Sequence, residues 1–126
     1  MHEIFLKRAI DLAHKGKYLT KPNPMVGCVI VKDNEVIAEG YHIKYGSNHA
    51  EINALEDLNK NNNISETELR HLTLYCTLEP CCHHGKTGPC TDAIIKSGIR
   101  KVVIGIKDPN PKVSGSGIKQ LEDNGI

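Results

Sequence analysis

His49-Ala50-Glu51, read together with Pro80-Cys81 and Pro89-Cys90, decides how the rest of this chain is to be understood. One imidazole and two thiols are three ligands of the kind zinc prefers. Three protein ligands leave a fourth tetrahedral position for water, the layout of a catalytic rather than a structural site. Coordination lowers the pKa of such a water from about 16 to about 7, which makes a nucleophile available at neutral pH. Glu51, close to His49 in sequence, is placed to move protons without binding the ion. Residues two apart on an ideal helix point in nearly opposite directions, so His49 and Glu51 can share one site only if a helix begins here. Ser47 and Asn48 are suitable caps for it, and Ile52, Ala54, Leu55 and Leu58 give it an inward face.

Upstream of that helix, Glu3 to Lys15 places Ile4, Ala9, Ile10, Leu12 and Ala13 on one helical face, with Gly16 as a stop. Pro22-Asn23-Pro24 forms a loop, and Val26 to Lys32 is a β-branched run that reads as a buried strand. Asp33-Asn34 turns the chain into a second strand from Val36 to about Tyr41, so the two make a hairpin. Downstream, Asn59 to Arg70 is polar and reads as an exposed connection, with a short helical turn at Ser65 to Glu68. Leu72 to Cys76 is a strand and Cys90 to Ser97 a helix ended by Gly98. Arg100 to Ile106 is a further strand, parallel to its predecessor because a helix intervenes. Asp108 to Pro111 is a turn, and Gly117 to Asn124 a closing helix stopped by Gly125. The order α-β-β-α-β-α-β-α is that of a layered α/β domain.

A chain of 126 residues is the size of one ordinary domain and can bury a core without disulfides, so residues 1–126 are expected to form a single unit. With 16 basic and 15 acidic residues the net charge is +1, and neither nucleic acid nor an anionic membrane is indicated as a partner. No apolar run approaches the length of a membrane span, and the N-terminus lacks a signal-peptide pattern. Five cysteines, an odd number, then point to the cytoplasm and reduced thiols. Cys28 and Cys76 lie in apolar strand runs and read as small core residues, while Cys82 reads as a bystander beside a ligand.

The pattern H-x-E followed by P-C-x-x-C marks zinc-dependent base deaminases, with the Glu as general acid and base. Here the second half is stretched, because the eight residues Cys82 to Pro89 separate Cys81 from Cys90. A loop tied to the metal at both ends cannot be far from the reacting atoms. This one carries two imidazoles, an ammonium and a hydroxyl, which suit an anionic substrate such as a phosphate ester. Added to the motifs above, Pro22-Asn23-Pro24, Gly40-Tyr41-His42, Thr77-Leu78-Glu79-Pro80-Cys81, His83-His84-Gly85-Lys86-Thr87 and Asp108-Pro109-Asn110-Pro111 complete a resemblance. From about Phe5 to its last residue the chain resembles the deaminase domain of the RibD riboflavin-biosynthesis family, within the cytidine and deoxycytidylate deaminase superfamily. It departs from that family in Cys82, where serine is usual, in Gly88, where proline is usual, and in the long connection Asn59 to Arg70.

The resemblance implies a three-layer cytidine-deaminase-like α/β fold, with a central mixed β-sheet flanked by helices. It implies Zn2+ on His49, Cys81 and Cys90, Glu51 as the catalytic residue, and substrate contacts from Asn23, His42, His83, Lys86 and Thr87. The implied reaction is hydrolytic deamination of a diaminopyrimidinone carrying a phosphoribosylamino group, giving the corresponding aminouracil and ammonia in riboflavin biosynthesis. In that family the deaminase is commonly fused to an NADPH-dependent reductase domain, of which these residues show nothing, so a separate or missing reductase is expected. A homo-oligomer remains open. So do a zinc deaminase for cytosine, guanine or tRNA adenosine, and a non-enzymatic zinc module in which Cys76 or Cys82 closes the site.

Overall fold

The computed structural model describes residues 1–61, 64–82, 89–111 and 113–126. The first helix, α1 (His2–Ala13), buries Phe5, Ala9, Leu12 and Ala13. That stripe differs from the expected one, since Ile4 and Ile10 are 63% and 47% exposed. The i, i+4, i+7, i+8 row through Phe5 faces the sheet, where the Phe5 ring lies 5.2 Å from that of Tyr75, and Ile4 and Ile10 fall to either side of it.

Strands β1 (Gly27–Lys32) and β2 (Glu35–Tyr41) form the expected antiparallel hairpin. Asp33 and Asn34 both take positive φ, at 50° and 65°, the double left-handed step that a type I′ turn requires. β3 (Thr73–Leu78) pairs antiparallel with β1, and β4 (Lys101–Ile106) pairs parallel with β3, giving the order β2-β1-β3-β4. The sheet is therefore mixed, and successive side chains alternate between two cores. Val29, Val31 and Tyr75 point to one face and meet α1. Cys28, Ile30, Leu74 and Cys76 point to the other, beneath α2 (Ala50–Asn61), α4 (Cys90–Ser97) and α5 (Ser116–Asp123). This is the expected three-layer α/β arrangement, a sheet between helices.

The described residues of the connection after α2 are more ordered than their polarity suggested. α2 runs on to Asn61, and α3 (Glu66–Leu69) is a short helix capped by Ser65, whose Oγ accepts from the Glu68 amide at 3.2 Å. A Lys32–Glu68 ion pair of 2.7 Å holds α3 to the end of β1, and Leu69 packs against the core. Among the described residues no helix is long and apolar enough to cross a membrane.

The position of α2 is set by contact with bare backbone. A Cβ built on Gly40 of β2 would stand 2.5 Å from the Ala54 amide nitrogen and 2.7 Å from the Ala50 carbonyl oxygen, both main-chain atoms that cannot rotate away. Gly40→Ala is expected to cost about 1–3 kcal/mol of stability or more, as overpacking of a close contact does. Urea denaturation checks this, and unchanged stability would mean that α2 does not sit this close to β2.

Candidate metal centre and active site

Three elements end at the same place. α2 begins at Ala50, so His49 precedes its first turn and its carbonyl oxygen accepts from the Asn53 amide at 3.1 Å. The backbone leaving β3 delivers Cys81, and Cys90 is the first residue of α4. The ligand atoms of His49, Cys81 and Cys90 all lie within 4.8 Å of one another. His49 Nδ1 is 3.3 Å from Cys90 Sγ and 3.6 Å from Cys81 Sγ. At the N-terminus of α4 the amides of Cys90 and Thr91 donate to Cys81 Sγ (3.3 Å) and to the Cys81 carbonyl oxygen (3.1 Å). Amide donors at a helix start favour sulfur in its anionic form.

The electrostatics match a centre that expects a cation. Cys81 is pushed below the usual thiol range, first by its hydrogen bond with Cys90, while the same contact together with burial pushes Cys90 up. The Cys81 sulfur pushes the His49 imidazole up. Nitrogen and paired sulfur donors around one point are the zinc donor set. Beside them stands Glu51, 3% exposed, whose Oε1 has no hydrogen-bond partner among the described residues. Burial pushes its carboxyl up to about 7. A buried polar atom left unpaired is costly in a folded protein, so an orphan oxygen at the edge of this cluster marks a place for a ligand. The residues present fit zinc with a proton-handling carboxylate next to it.

Glu51, His49 and Cys81 line one pocket with Asn23, His42 and Leu78. His42 is 2% exposed. Its Nδ1 lies 3.1 Å from the Asn48 carbonyl oxygen, which can only accept, so the proton belongs on Nδ1. Nε2 is then an acceptor, 3.3 Å from Asn23 Nδ2, and the Asn23 amide is oriented with its carbonyl oxygen and second N–H free of this bond. Sequence alone gave His42 no support beyond resemblance, because the contact depends on chain passing between the hairpin and the loop after α1. His83, Lys86 and Thr87 lie outside the described residues.

Two residues that the sequence offered only as parts of motifs also belong to this neighbourhood. Asp108 lines the pocket. Glu79, 5% exposed, spends both carboxylate oxygens on backbone amides: Oε1 accepts from Asp108 (3.0 Å) and Gly115 (2.9 Å), and Oε2 from Gly117 (2.8 Å) and Ile118 (3.2 Å). Burial pushes its carboxyl up, but the four donors outweigh that and hold it below the usual carboxylate range. No periodicity could reveal it; the signal was a charged residue between Leu78, the last residue of β3, and Pro80.

The other thiols stand apart. Cys28 and Cys76 face each other across β1 and β3, fully buried in the core, and burial pushes both thiols up. Cys82 is half-buried and is not in the ligand cluster found among the described residues.

Comparison with known proteins agrees with this geometry. The family described as the cytidine and deoxycytidylate deaminase zinc-binding region matches residues 1–106. The diaminohydroxyphosphoribosylamino-pyrimidine deaminase of Buchnera aphidicola (subsp. Schizaphis graminum) is 52% identical over 122 residues, covering 97% of this chain and 78% of that protein. The riboflavin biosynthesis protein RibD of Escherichia coli is 47% identical over 124 residues, covering 98% of this chain and 32% of that protein. Among solved structures, the diaminohydroxyphosphoribosylaminopyrimidine deaminase/5-amino-6-(5-phosphoribosylamino)uracil reductase of Thermotoga maritima superposes with a TM-score of 0.89 at 54% identity, over 99% of this chain and 34% of that one. The chain thus spans about a third of the Escherichia coli and Thermotoga proteins and most of the Buchnera deaminase. A zinc donor set, an adjoining buried glutamate and a sequence match over most of the length lead to one conclusion: the chain belongs to the cytidine and deoxycytidylate deaminase zinc-binding family.

Proposed function

We propose that this chain is a zinc-dependent hydrolase that deaminates a diaminopyrimidinone bearing a phosphoribosylamino group, yielding the aminouracil and ammonia in riboflavin biosynthesis. The observation that carries deamination is the buried Glu51 carboxyl with its unpartnered Oε1 beside His49, Cys81 and Cys90. The substrate class is supported by identity of about half the residues to a deaminase of that name over nearly the whole chain.

Zinc held by His49, Cys81 and Cys90 would supply a Lewis acid that brings the pKa of water down to about 7. The remaining steps belong to the protein. Glu51 accepts a proton from the attacking water at Oε1, where burial favours the protonated carboxyl, and returns it later in the reaction. It delivers the proton to a ring nitrogen as oxygen adds to the amine-bearing carbon, then takes the second proton from the new hydroxyl as the carbonyl forms and passes it to the departing amine, so that the C–N bond breaks and ammonia leaves. Asn23, oriented by His42, offers a donor and an acceptor to the edge of the pyrimidine. Leu78 and Glu79 line the pocket, and carbonyl oxygens from this stretch accept from the amine that leaves. A deaminase domain over residues 1–126 hands its product to a reductase activity of the kind named with the Thermotoga protein. Free thiols needed as ligands suit the reducing cytoplasm.

Incubating the zinc-loaded chain with the phosphorylated diaminopyrimidine, with cytidine and with guanine tests the reading. Rapid ammonia release from the first alone is expected, and preference for either control would move the chain to another base. Phosphate recognition is assigned to Lys86 and Thr87, tethered in sequence between two ligands. A charge-assisted hydrogen bond contributes about 1.5–3 kcal/mol, so Lys86→Ala should raise KM for the phosphorylated substrate roughly 10- to 150-fold. The dephosphorylated compound should hardly respond, and equal effects on both would remove Lys86 from phosphate binding.

A further inference from the structure

The two thiol ligands are enclosed by a ring of hydrogen bonds that passes through the C-terminal segment, beyond the residues 1–106 that match the family. Glu79 begins it. Its carboxylate gathers the amides of Asp108, Gly115, Gly117 and Ile118, which binds the strand end leading to Cys81 to the first turn of α5. The approach is close enough that a Cβ on Gly117 would collide with the Pro80 carbonyl oxygen and lie 3.2 Å from Glu79 Oε2. One turn further along α5, Gln120 Oε1 accepts from the fully buried Thr91 hydroxyl at 2.8 Å, and Gln120 Nε2 donates to Asp92 Oδ1 at 3.2 Å. Thr91 and Asp92 directly follow Cys90. The amides of Cys90 and Thr91 return to Cys81 and close the ring.

We propose that Glu79 and the Gln120–Thr91 pair are positioning residues for the metal: through α5 they set the spacing between the Cys81 and Cys90 sulfurs, and α5 is part of the metal centre without touching it. The inference rests on His49, Cys81 and Cys90 being the zinc ligands. Its physical basis is that a pair of sulfurs on two separately moving elements must be ordered when zinc arrives, whereas a pair braced by a third element is ordered beforehand. Glu79→Gln replaces one acceptor oxygen by an amide group facing N–H donors, and Thr91→Val keeps the shape of the side chain while leaving Gln120 without its donor.

The test is zinc affinity of the full-length chain, measured by competition with a chromophoric chelator, and the visible spectrum of the cobalt-substituted chain, which reports geometry at the metal. Glu79→Gln is expected to weaken zinc binding about 10- to 100-fold, the usual effect of losing an outer partner of a metal ligand, and to shift the cobalt bands. Thr91→Val should change both readouts in the same direction, and Thr91→Ser, which restores the hydroxyl, should recover them. Thr91→Val keeps the question open to decision if Glu79→Gln does not fold. If α5 merely supports the fold, melting temperatures fall while affinity and cobalt spectrum stay as in the wild type, and the proposal is overturned. A wild-type chain that takes up no zinc would instead overturn the ligand assignment itself, and this proposal with it.

Discussion

Glu51→Gln lowers turnover by about 10²- to 10⁴-fold, the usual loss when a general acid and base is removed, while zinc content stays at the wild-type level. The substitution preserves shape and removes only the ability to carry a proton. Retained metal is expected because the ligand cluster is made of His49, Cys81 and Cys90, with Glu51 outside it. Stability gives an independent check. The Glu51 carboxyl is almost fully buried with Oε1 unpartnered, so the folded chain bears a desolvation cost that a neutral amide reduces, and the variant should be as stable as the wild type or more so. A residue kept for structure would behave in the opposite way, destabilising when changed. Near-normal turnover in Glu51→Gln would take this residue out of the mechanism, whatever the zinc analysis showed.

Loss of a ligand should be more severe than loss of an outer partner. Cys81→Ser and Cys90→Ser are each expected to weaken zinc binding by more than the about 10- to 100-fold typical of an outer partner, and activity should fall with metal content. Both sulfurs lie close to His49 Nδ1, and each is fixed by the fold itself, since Cys81 accepts from the Cys90 amide and Cys90 is buried at the start of α4. Removing either therefore leaves an incomplete donor set in a place that cannot readily supply another. Cys82→Ser is the matched control and should keep full zinc, because Cys82 stands outside the cluster of described ligand atoms. Full zinc in both ligand variants would refute the assignment, and zinc loss in Cys82→Ser would revive a closed structural site.

Much of this architecture was legible because the relevant signals are local. The hairpin follows from a β-branched run and Asp33-Asn34, two residues that tolerate the positive φ found there. The parallel pairing of β3 with β4 follows from the helix between them. Reconciling His49 with Glu51 required a helix that begins between them, and α2 begins at Ala50. What sequence concealed depends on partners distant along the chain. Nothing near Ile4 says that Phe5 will pack against Tyr75 and turn α1 so that Ile4 faces solvent. His42 gains its place from Asn23, 19 residues upstream, together with Asn48, and Glu79 gains its four donors from a segment 29 to 39 residues downstream.

The decisive measurement is product analysis after turnover of the phosphorylated diaminopyrimidine in 18O-labelled water. Hydrolytic deamination breaks the bond between ring carbon and exocyclic nitrogen and puts a water oxygen on that carbon, so each turnover should release one ammonia and leave one labelled oxygen in the aminouracil product. Both signals should vanish together when the zinc is removed by chelator and return together when it is restored. Ammonia without label in the product, or product formed equally well by the metal-free chain, would contradict the account.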